Sequence, residues 1–205
     1  SAKKLKFEPN FTGTYDGTYK DGKFAFDYQG GKVTGEMKTT PGARNRAKVV
    51  IELSVKDKPM KYEANTQLEM KEGILGPVKC VLEEFKLSYG DFAVEGSVDK
   101  NELGVVTTEI NYKGKVVKGK GAVDKLSLDF GEFTIKGKRA GLANLDYELE
   151  IGTKKVLGNV DMKVEIFKGT MKGDYNFKFD GLTDEELSLA LFVGVLSENW
   201  SGRAR

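Results

Sequence analysis

The stretch MKGDYNFKFDGLTDEELSLALFVGVL, residues 171–196, changes its hydrophobic period part-way along. Met171, Tyr175 and Phe179 belong to an apolar phase that recurs at every second residue, with charged and amide residues between them. Alternation of this kind puts one face of a strand against a core and the other in water. From Leu187 to Leu196 only Ser188 interrupts the apolar side chains, apart from a glycine. The stretch therefore predicts a half-buried strand followed by a helix that is buried all round.

The start of that helix is marked by a capping box. Thr183 occupies the N-cap position and Glu186 the N3 position, where each side chain can satisfy the other's backbone N–H. Leu182 and Leu187 have the spacing of a hydrophobic staple, and the acidic first turn suits the positive end of the helix dipole. We predict one principal helix over about residues 183–198, which is too short to cross a bilayer.

The same two-residue alternation runs through most of the chain. Clear examples are residues 49–55, 106–112, 145–151 and 160–166. One-sided alternation is typical of antiparallel sheets, because buried parallel strands show continuous apolar runs instead. Turn dipeptides separate these segments, at Asp21-Gly22, Gly30-Gly31, Lys113-Gly114 and Gly152-Thr153.

Two segments lose their apolar phase by one residue at a glycine. The slips fall at Gly90-Asp91 and at Gly131-Glu132, and a slip of this kind is how a β-bulge reads in sequence. Bulges bend strands, so the sheet should curve strongly. We therefore predict a single, mostly β domain over residues 1–205: a strongly curved antiparallel sheet or barrel wrapped around one buried C-terminal hydrophobic helix. The alternative is a helix that is half-buried in this chain and half-buried in a homodimer partner.

Composition excludes most catalytic chemistry. The 205 residues include no His and one Cys, and 33 Lys and Arg nearly balance 31 Asp and Glu. Without His the common catalytic triads and the commonest metal ligand are missing, and a lone Cys80 cannot build a thiolate zinc site. A net charge of +2 does not call for nucleic acid. The basic segment at residues 38–48 is best interpreted as a solvated hairpin loop. We predict no enzyme, no metal and no cofactor.

The apolar interior is the remaining candidate for function. A curved sheet of ten or more strands offers more apolar surface than a helix of about 14 residues, ~21 Å long, can cover. The excess is filled by side chains, by folding into a sandwich, or by a lipophilic ligand such as a bound lipid or pigment. For the ligand hypothesis we predict contacts from inward aromatic residues and from one stripe of the helix, with Phe192 near Phe92 or Phe130. The candidate binding residues are Phe92, Phe130, Tyr147, Phe177, Leu189, Phe192, Val193 and Leu196.

Residues from about 107 to 200 resemble the arthropod takeout and juvenile-hormone-binding family. That family carries a Y-x-x-x-G-K hairpin before a G-K-G segment, which resembles residues 110–115 and 119–121 here. Its later glycine-containing turn and its N-E-N-W ending resemble residues 179–187 and Ser197-Glu198-Asn199-Trp200. The resemblance implies secretion and a tunnel for terpenoids, fatty acyl chains, quinones or carotenoids.

The C-terminal part also resembles the tubby-like and LURP-one group. Residues 171–200, an alternating strand and then an acidic-capped apolar helix, look like the ending of that group's barrel. This resemblance implies binding to membranes or phosphoinositides. A β domain that binds partners without any ligand is a further alternative. Two glycosylation sequons, at Asn10 and Asn199, favour a secreted protein.

Overall fold

A computed structural model describes residues 6–18, 21–28, 31–42, 46–70, 72, 77–100, 105–122, 125–129, 134–140, 144–165 and 167–192. Within these residues strands predominate and one helix closes the series. The strands are β1 (Phe11–Thr18), β2 (Gly22–Tyr28), β3 (Gly31–Pro41), β4 (Arg46–Val55), β5 (Lys58–Met70), β6 (Pro77–Tyr89), β7 (Phe92–Lys100), β8 (Val105–Tyr112), β9 (Lys115–Ala122), β10 (Lys125–Asp129), β11 (Thr134–Ala140), β12 (Asn144–Ile151), β13 (Lys154–Glu165) and β14 (Thr170–Phe179), and the helix is α1 (Asp184–Leu191).

The fourteen strands form one closed antiparallel barrel in simple up-and-down order. Each strand pairs with its neighbours in sequence, and β1 pairs with β14 to close the ring. At the closure Phe11 lies opposite Phe177, and Thr18 lies opposite Thr170. The predicted fold class, a curved antiparallel sheet or barrel around a C-terminal hydrophobic helix, is confirmed.

Alternation fixes which side chains enter the barrel. On β14 Met171, Tyr175, Phe177 and Phe179 are buried, while the intervening Lys172 is exposed. The seam between β1 and β14 is lined by aromatic rings: Phe11 lies 4.8 Å from Phe26 and 5.2 Å from Phe179, measured between centroids. Ring packing of this kind adds to the burial of apolar area and holds the two ends of the chain together.

Two inward glycines make room for these rings. Gly13 lies opposite Phe26 on β2, and Gly158 lies opposite Phe177 on β14. A Cβ at either glycine would overlap the ring of its cross-strand partner. The absence of a side chain therefore lets an aromatic residue lie flat over the neighbouring strand, which also favours the curvature that closure requires.

The predicted bulge at Gly90-Asp91 is wrong. Tyr89 pairs with Phe92, so the two residues between them form a tight hairpin turn joining β6 and β7, with Gly90 at φ +56°. A positive φ suits glycine, and a two-residue turn shifts the apolar phase just as a bulge does. Register irregularities of the described strands lie elsewhere: between Asn65 and Thr66, between Glu69 and Met70, and between Leu82 and Phe85.

The second predicted bulge, at Gly131-Glu132, falls between two paired antiparallel strands. Asp129 at the end of β10 lies opposite Thr134 at the start of β11, and residues 130–133 lie outside the described residues. The basic segment at residues 38–48 spans the end of β3, the connection and the start of β4, where Gly42 N–H donates to the carbonyl of Arg46 at 2.8 Å. The segment is a hairpin, as predicted, but residues 38–41 and 46–48 belong to strands, so the loop is shorter than we expected.

Helix α1 begins as the sequence predicts. Thr183 is the N-cap, its hydroxyl accepts from Glu186 N–H at 3.2 Å, and the Glu186 carboxylate accepts from Thr183 N–H at 3.3 Å. Residues beyond Phe192, which include the rest of the predicted helix, lie outside the described residues. In the described part of the chain no helix is long and apolar enough to cross a membrane.

Candidate functional site

Salt bridges bind the first turn of α1 to the hairpin turns at one end of the barrel. Asp184 contacts Lys56 and Lys58, at 3.4 and 3.2 Å, on the β4–β5 hairpin. These contacts belong to a set that we call the acidic collar: the carboxylates of Asp184, Glu185 and Glu186 with the lysines they bind. The three carboxylates are consecutive in sequence, so they point in different directions around the helix and reach different hairpins.

The remaining contacts of the acidic collar lie on two other hairpins, β8–β9 and β12–β13. Glu185 accepts a hydrogen bond from the Tyr112 hydroxyl at 3.2 Å and lies 3.5 Å from Lys113. Glu186 lies 2.8 Å from Lys154 and is the least exposed of the three carboxylates. The collar therefore fixes the point at which the helix enters the barrel.

Hydrogen bonding within the acidic collar shifts two pKa values. The hydrogen bond from Lys58 lowers the pKa of Asp184 below its ordinary value of 3.8, against a smaller opposing effect of burial. Burial raises the pKa of Glu186, but hydrogen bonds from Lys154 and Thr183 outweigh it and leave the pKa below the ordinary 4.5. Burial, followed by the nearby charge of Asp184, raises the pKa values of Tyr28 and Tyr89.

We expect Glu186→Gln to destabilise the protein by about 1 kcal/mol near neutral pH, because it removes a half-buried charged hydrogen bond. A carboxylate whose pKa is lowered by folding stabilises the fold above its unfolded pKa and loses that effect as the pH falls through the folded value. The difference between wild type and Glu186→Gln in urea unfolding should therefore be full above pH 4.5 and shrink as acid protonates the Glu186 carboxylate in the folded protein.

Glu165→Gln is the matched control for this measurement. Glu165 also lies 2.8 Å from a lysine, Lys168, but its side chain is 56% exposed where that of Glu186 is 14% exposed. The control should change the unfolding free energy by less than about 0.5 kcal/mol. Equal effects of the two substitutions would contradict a special role for the collar.

Beyond the collar, α1 runs into the interior of the barrel. Leu187, Leu189 and Leu191 are almost fully buried, as is Ala190 between them. The ring of Phe192 follows and stacks on Phe85, with centroids 4.8 Å apart and planes 17° apart. A helix with every side buried cannot lie on the outside of the sheet, so these contacts place it within the barrel.

One of the two predicted neighbours of Phe192 lies elsewhere, and the other, Phe130, lies outside the described residues. The ring contacts Phe85 on β6 and Tyr62 on β5, the latter at 5.5 Å between centroids, and Phe92 is not among its described ring contacts. Phe92 is half-buried at the start of β7 and packs edge-on against Tyr112, close to the collar. The reason is the β6–β7 hairpin: Phe92 follows the turn immediately, which places it at the end of the barrel.

Of the other predicted site residues, three are buried and three have side chains that the structure does not describe. Tyr147 and Phe177 are buried with their ring centroids 6.1 Å apart, and Leu189 is buried on α1. Phe130, Val193 and Leu196 lie outside the residues whose side chains are described.

Of the two predicted glycosylation residues, the structure describes Asn10 alone. Asn10 lies just before β1, and its carboxamide is engaged with the backbone of Phe179: its Nδ2 donates at 2.7 Å and its Oδ1 accepts at 2.8 Å. Asn199 lies outside the described residues. Asn10 thus extends the β1–β14 seam by one pair of hydrogen bonds, and glycosylation at either residue stays a prediction.

The described interior contains polar groups but no charge. The buried polar residues are Thr66, Thr108, Asn159 and Ser188. Of these, Asn159 lies in the outward phase of β13, where it donates to Asp146 at 2.8 Å. Ser188 donates to the Glu185 carbonyl at 2.7 Å. The Oγ1 of Thr108, on β8, is buried without a hydrogen-bond partner among the described residues. An unpaired buried hydroxyl costs stability, so it needs an explanation.

Thr108 lies at a depth similar to that of Phe192. It is four residues along β8 from Tyr112, whose hydroxyl binds Glu185 in the collar, a distance of about 13 Å along a strand. Helix α1 advances about 10 Å between Glu185 and Phe192. The buried hydroxyl of Thr108 thus lies close to the level of Phe192, the last described residue after α1.

The outer surface offers a groove of a different character. It has a volume of about 640 Å³ and crosses β4 to β9, where the irregularity after Leu82 turns both Glu83 and Glu84 outward. Glu83 binds Arg46 at 3.0 Å and Glu84 accepts from Asn65 at 3.4 Å. Strict alternation would put these two glutamates on opposite faces of β6, so the irregularity is what brings both to the outer face. Within the described residues no three metal-ligating side chains are grouped to hold a metal ion.

No known protein family, curated protein or solved structure matches the chain. The resemblances to the takeout family and to the tubby-like group therefore remain predictions from sequence.

Proposed function

We propose that the protein binds and carries a small, uncharged hydrophobic molecule inside the barrel, next to Phe192 and Thr108. The observation that carries the proposal is the width of the barrel relative to what enters it. Fourteen strands close around the helix α1. Barrels of eight strands are just wide enough for side chains to fill, and barrels of eleven strands hold a central helix. A barrel of fourteen strands has room for a helix and a ligand.

The polarity of the interior indicates the chemical class of this ligand. No charged side chain is buried among the described residues, so an ionised ligand would lose its hydration without gaining a counter-ion. A neutral molecule with one hydroxyl or carbonyl group avoids that loss and can pair with the free Oγ1 of Thr108. A neutral lipid, a terpenoid alcohol, a quinone or an oxygenated carotenoid fits this description.

The aromatic residues favour a ligand with a flat or conjugated part. Phe192 and Phe85 are nearly parallel, and Tyr62 adjoins them. Offset stacking on such rings contributes about 0.5–1.5 kcal/mol per pair beyond the burial of area. Quinone rings and polyene chains can use this contact, whereas a saturated acyl chain gains only from burial. Secretion, which the takeout resemblance implies, would suit a carrier of this kind and stays a prediction.

Organic extraction of the purified protein tests the proposal. A chloroform–methanol extract analysed by mass spectrometry should contain a neutral lipophilic molecule in a fixed ratio to protein, after mock extraction of the buffer is subtracted. The outer-face variant Thr107→Val, which leaves the interior intact, should carry the same molecule in the same ratio. An extract that contains only bulk lipid in variable amounts would count against a specific interior site.

A further inference from the structure

The hairpin that joins β13 to β14 displays a fully exposed aromatic ring. Phe167 is 105% exposed and Val164, three residues earlier, is 54% exposed. Two described features define the turn: Lys168 N–H donates to the Glu165 carbonyl at 3.1 Å, and Gly169 has a positive φ of +65°. The ring is thus presented to solvent by a defined turn.

The same hairpin carries a like-charge pair. Lys163 on β13 and Lys172 on β14 are directly opposite in the ladder, and both are exposed. Like charges in this position destabilise a sheet. Asp16 lies across from Lys172 on β1, yet neither ammonium forms a salt bridge with a described residue. Residues 163–172, the tip of the hairpin, contain three lysines and one glutamate, a net charge of +2. The next outward pair, Asp161 with Asp174, is acidic and lies farther from the tip. An external anion at the tip would relieve the repulsion between the two lysines.

The area of the exposed apolar surface decides between two kinds of partner. One Phe and half of a Val present roughly 200 Å² of apolar surface. A stable protein interface needs about 800 Å² from each partner, so this hairpin alone is too small to hold a second copy. Binding to a bilayer does not require so large an apolar area. Single aromatic side chains are stable at the level of the headgroups, and nearby lysines are attracted to anionic headgroups.

We infer that the β13–β14 hairpin docks on an anionic phospholipid surface, with Phe167 at the level of the headgroups and Lys163 and Lys172 against the phosphates. The hairpin lies at the end of the barrel opposite the acidic collar, because β13 begins at Lys154, which binds Glu186, and runs twelve residues to Glu165. Docking in this way turns the collar away from the membrane. The inference does not depend on a ligand inside the barrel.

Vesicle sedimentation tests this inference. Wild-type protein should bind vesicles of phosphatidylcholine with 30% phosphatidylserine, about tenfold more weakly vesicles of phosphatidylcholine alone, and less at high salt. Phe167→Ser should weaken binding to the serine-containing vesicles by about tenfold, because a buried Phe contributes at least one decade of affinity. The double variant Lys163→Gln with Lys172→Gln should remove the preference for phosphatidylserine.

Val116→Ser is the matched control, since Val116 is 60% exposed on β9 at the other end of the barrel. It should bind vesicles as wild type does, and circular dichroism should show all variants folded. Equal binding by wild type and Phe167→Ser would overturn the inference. So would the absence of binding to serine-containing vesicles, or a wild-type dimer in analytical ultracentrifugation that Phe167→Ser abolishes, since the hairpin would then be a protein contact.

Discussion

Phe192→Ala should destabilise the protein by about 3–5 kcal/mol, the usual cost of deleting a buried aromatic ring when the space stays empty. The ring is 6% exposed, and the aromatic neighbours that the structure describes, Phe85 and Tyr62, belong to adjacent strands that cannot close over the gap without distorting the barrel. Urea unfolding followed by circular dichroism measures the loss. Because the substitution also widens the proposed ligand space, it should change the size of ligand that binds best.

Phe167→Ala provides the same chemical change at an exposed position. With its ring fully in solvent, it should alter the unfolding free energy by less than about 0.5 kcal/mol. If Phe192→Ala unfolds like this control, the helix is not enclosed by the barrel. The apolar side chains of α1 would then have to be covered by another molecule, and the homodimer hypothesis would take precedence.

The local features of the fold are predictable from sequence because they depend on neighbouring residues. The capping box at Thr183 and Glu186 forms between residues three apart, and the side chains of β14 alternate as the two-residue period requires. Periodicity also assigns Thr108 to the inward phase of β8. Whether its hydroxyl finds a partner depends on side chains from other strands, which a one-dimensional pattern does not contain.

The wrong predictions concern sequence patterns that two different local structures can produce. A one-residue phase slip at glycine fits a bulge and a two-residue hairpin equally well, and at Gly90 the chain reverses. One of the observed irregularities, after Leu82, contains two glutamates and no glycine, so nothing in the composition marks it. Their outward placement follows from that irregularity and could not be read from strict alternation.

The closure of the barrel was also beyond sequence reasoning. Phe11 on β1 packs against Phe179 on β14, although 168 residues separate them in the chain. Strand β1 reads FTGTYDGT, in which the inward glycine weakens the apolar alternation. The need for glycine at residue 13 becomes clear only in the structure, where the ring of Phe26 occupies the space of a Cβ. The neighbours of Phe192 are unpredictable for the same reason, since they depend on how the strands surround the helix.

The central claim, a neutral ligand beside Thr108, is tested most directly by ligand-dependent stability in a matched pair of variants. Thr108→Val replaces the buried, unpaired hydroxyl, and Thr107→Val makes the same change at the adjacent exposed residue. Without ligand, Thr108→Val should be more stable than wild type by about 1 kcal/mol, because the cost of an unpaired hydroxyl is removed. Thr107→Val should change little.

Retinol, farnesol and a short-chain ubiquinone serve as probes in a thermal unfolding titration. At a concentration of about 100 times the Kd, at least one of them should stabilise wild type and Thr107→Val by about 2.7 kcal/mol. Thr108→Val should bind the same probe about fivefold more weakly, since one hydrogen bond of about 1 kcal/mol is lost. Thermal stability that none of the three probes raises, or an equal response from both variants, would contradict a ligand held at Thr108.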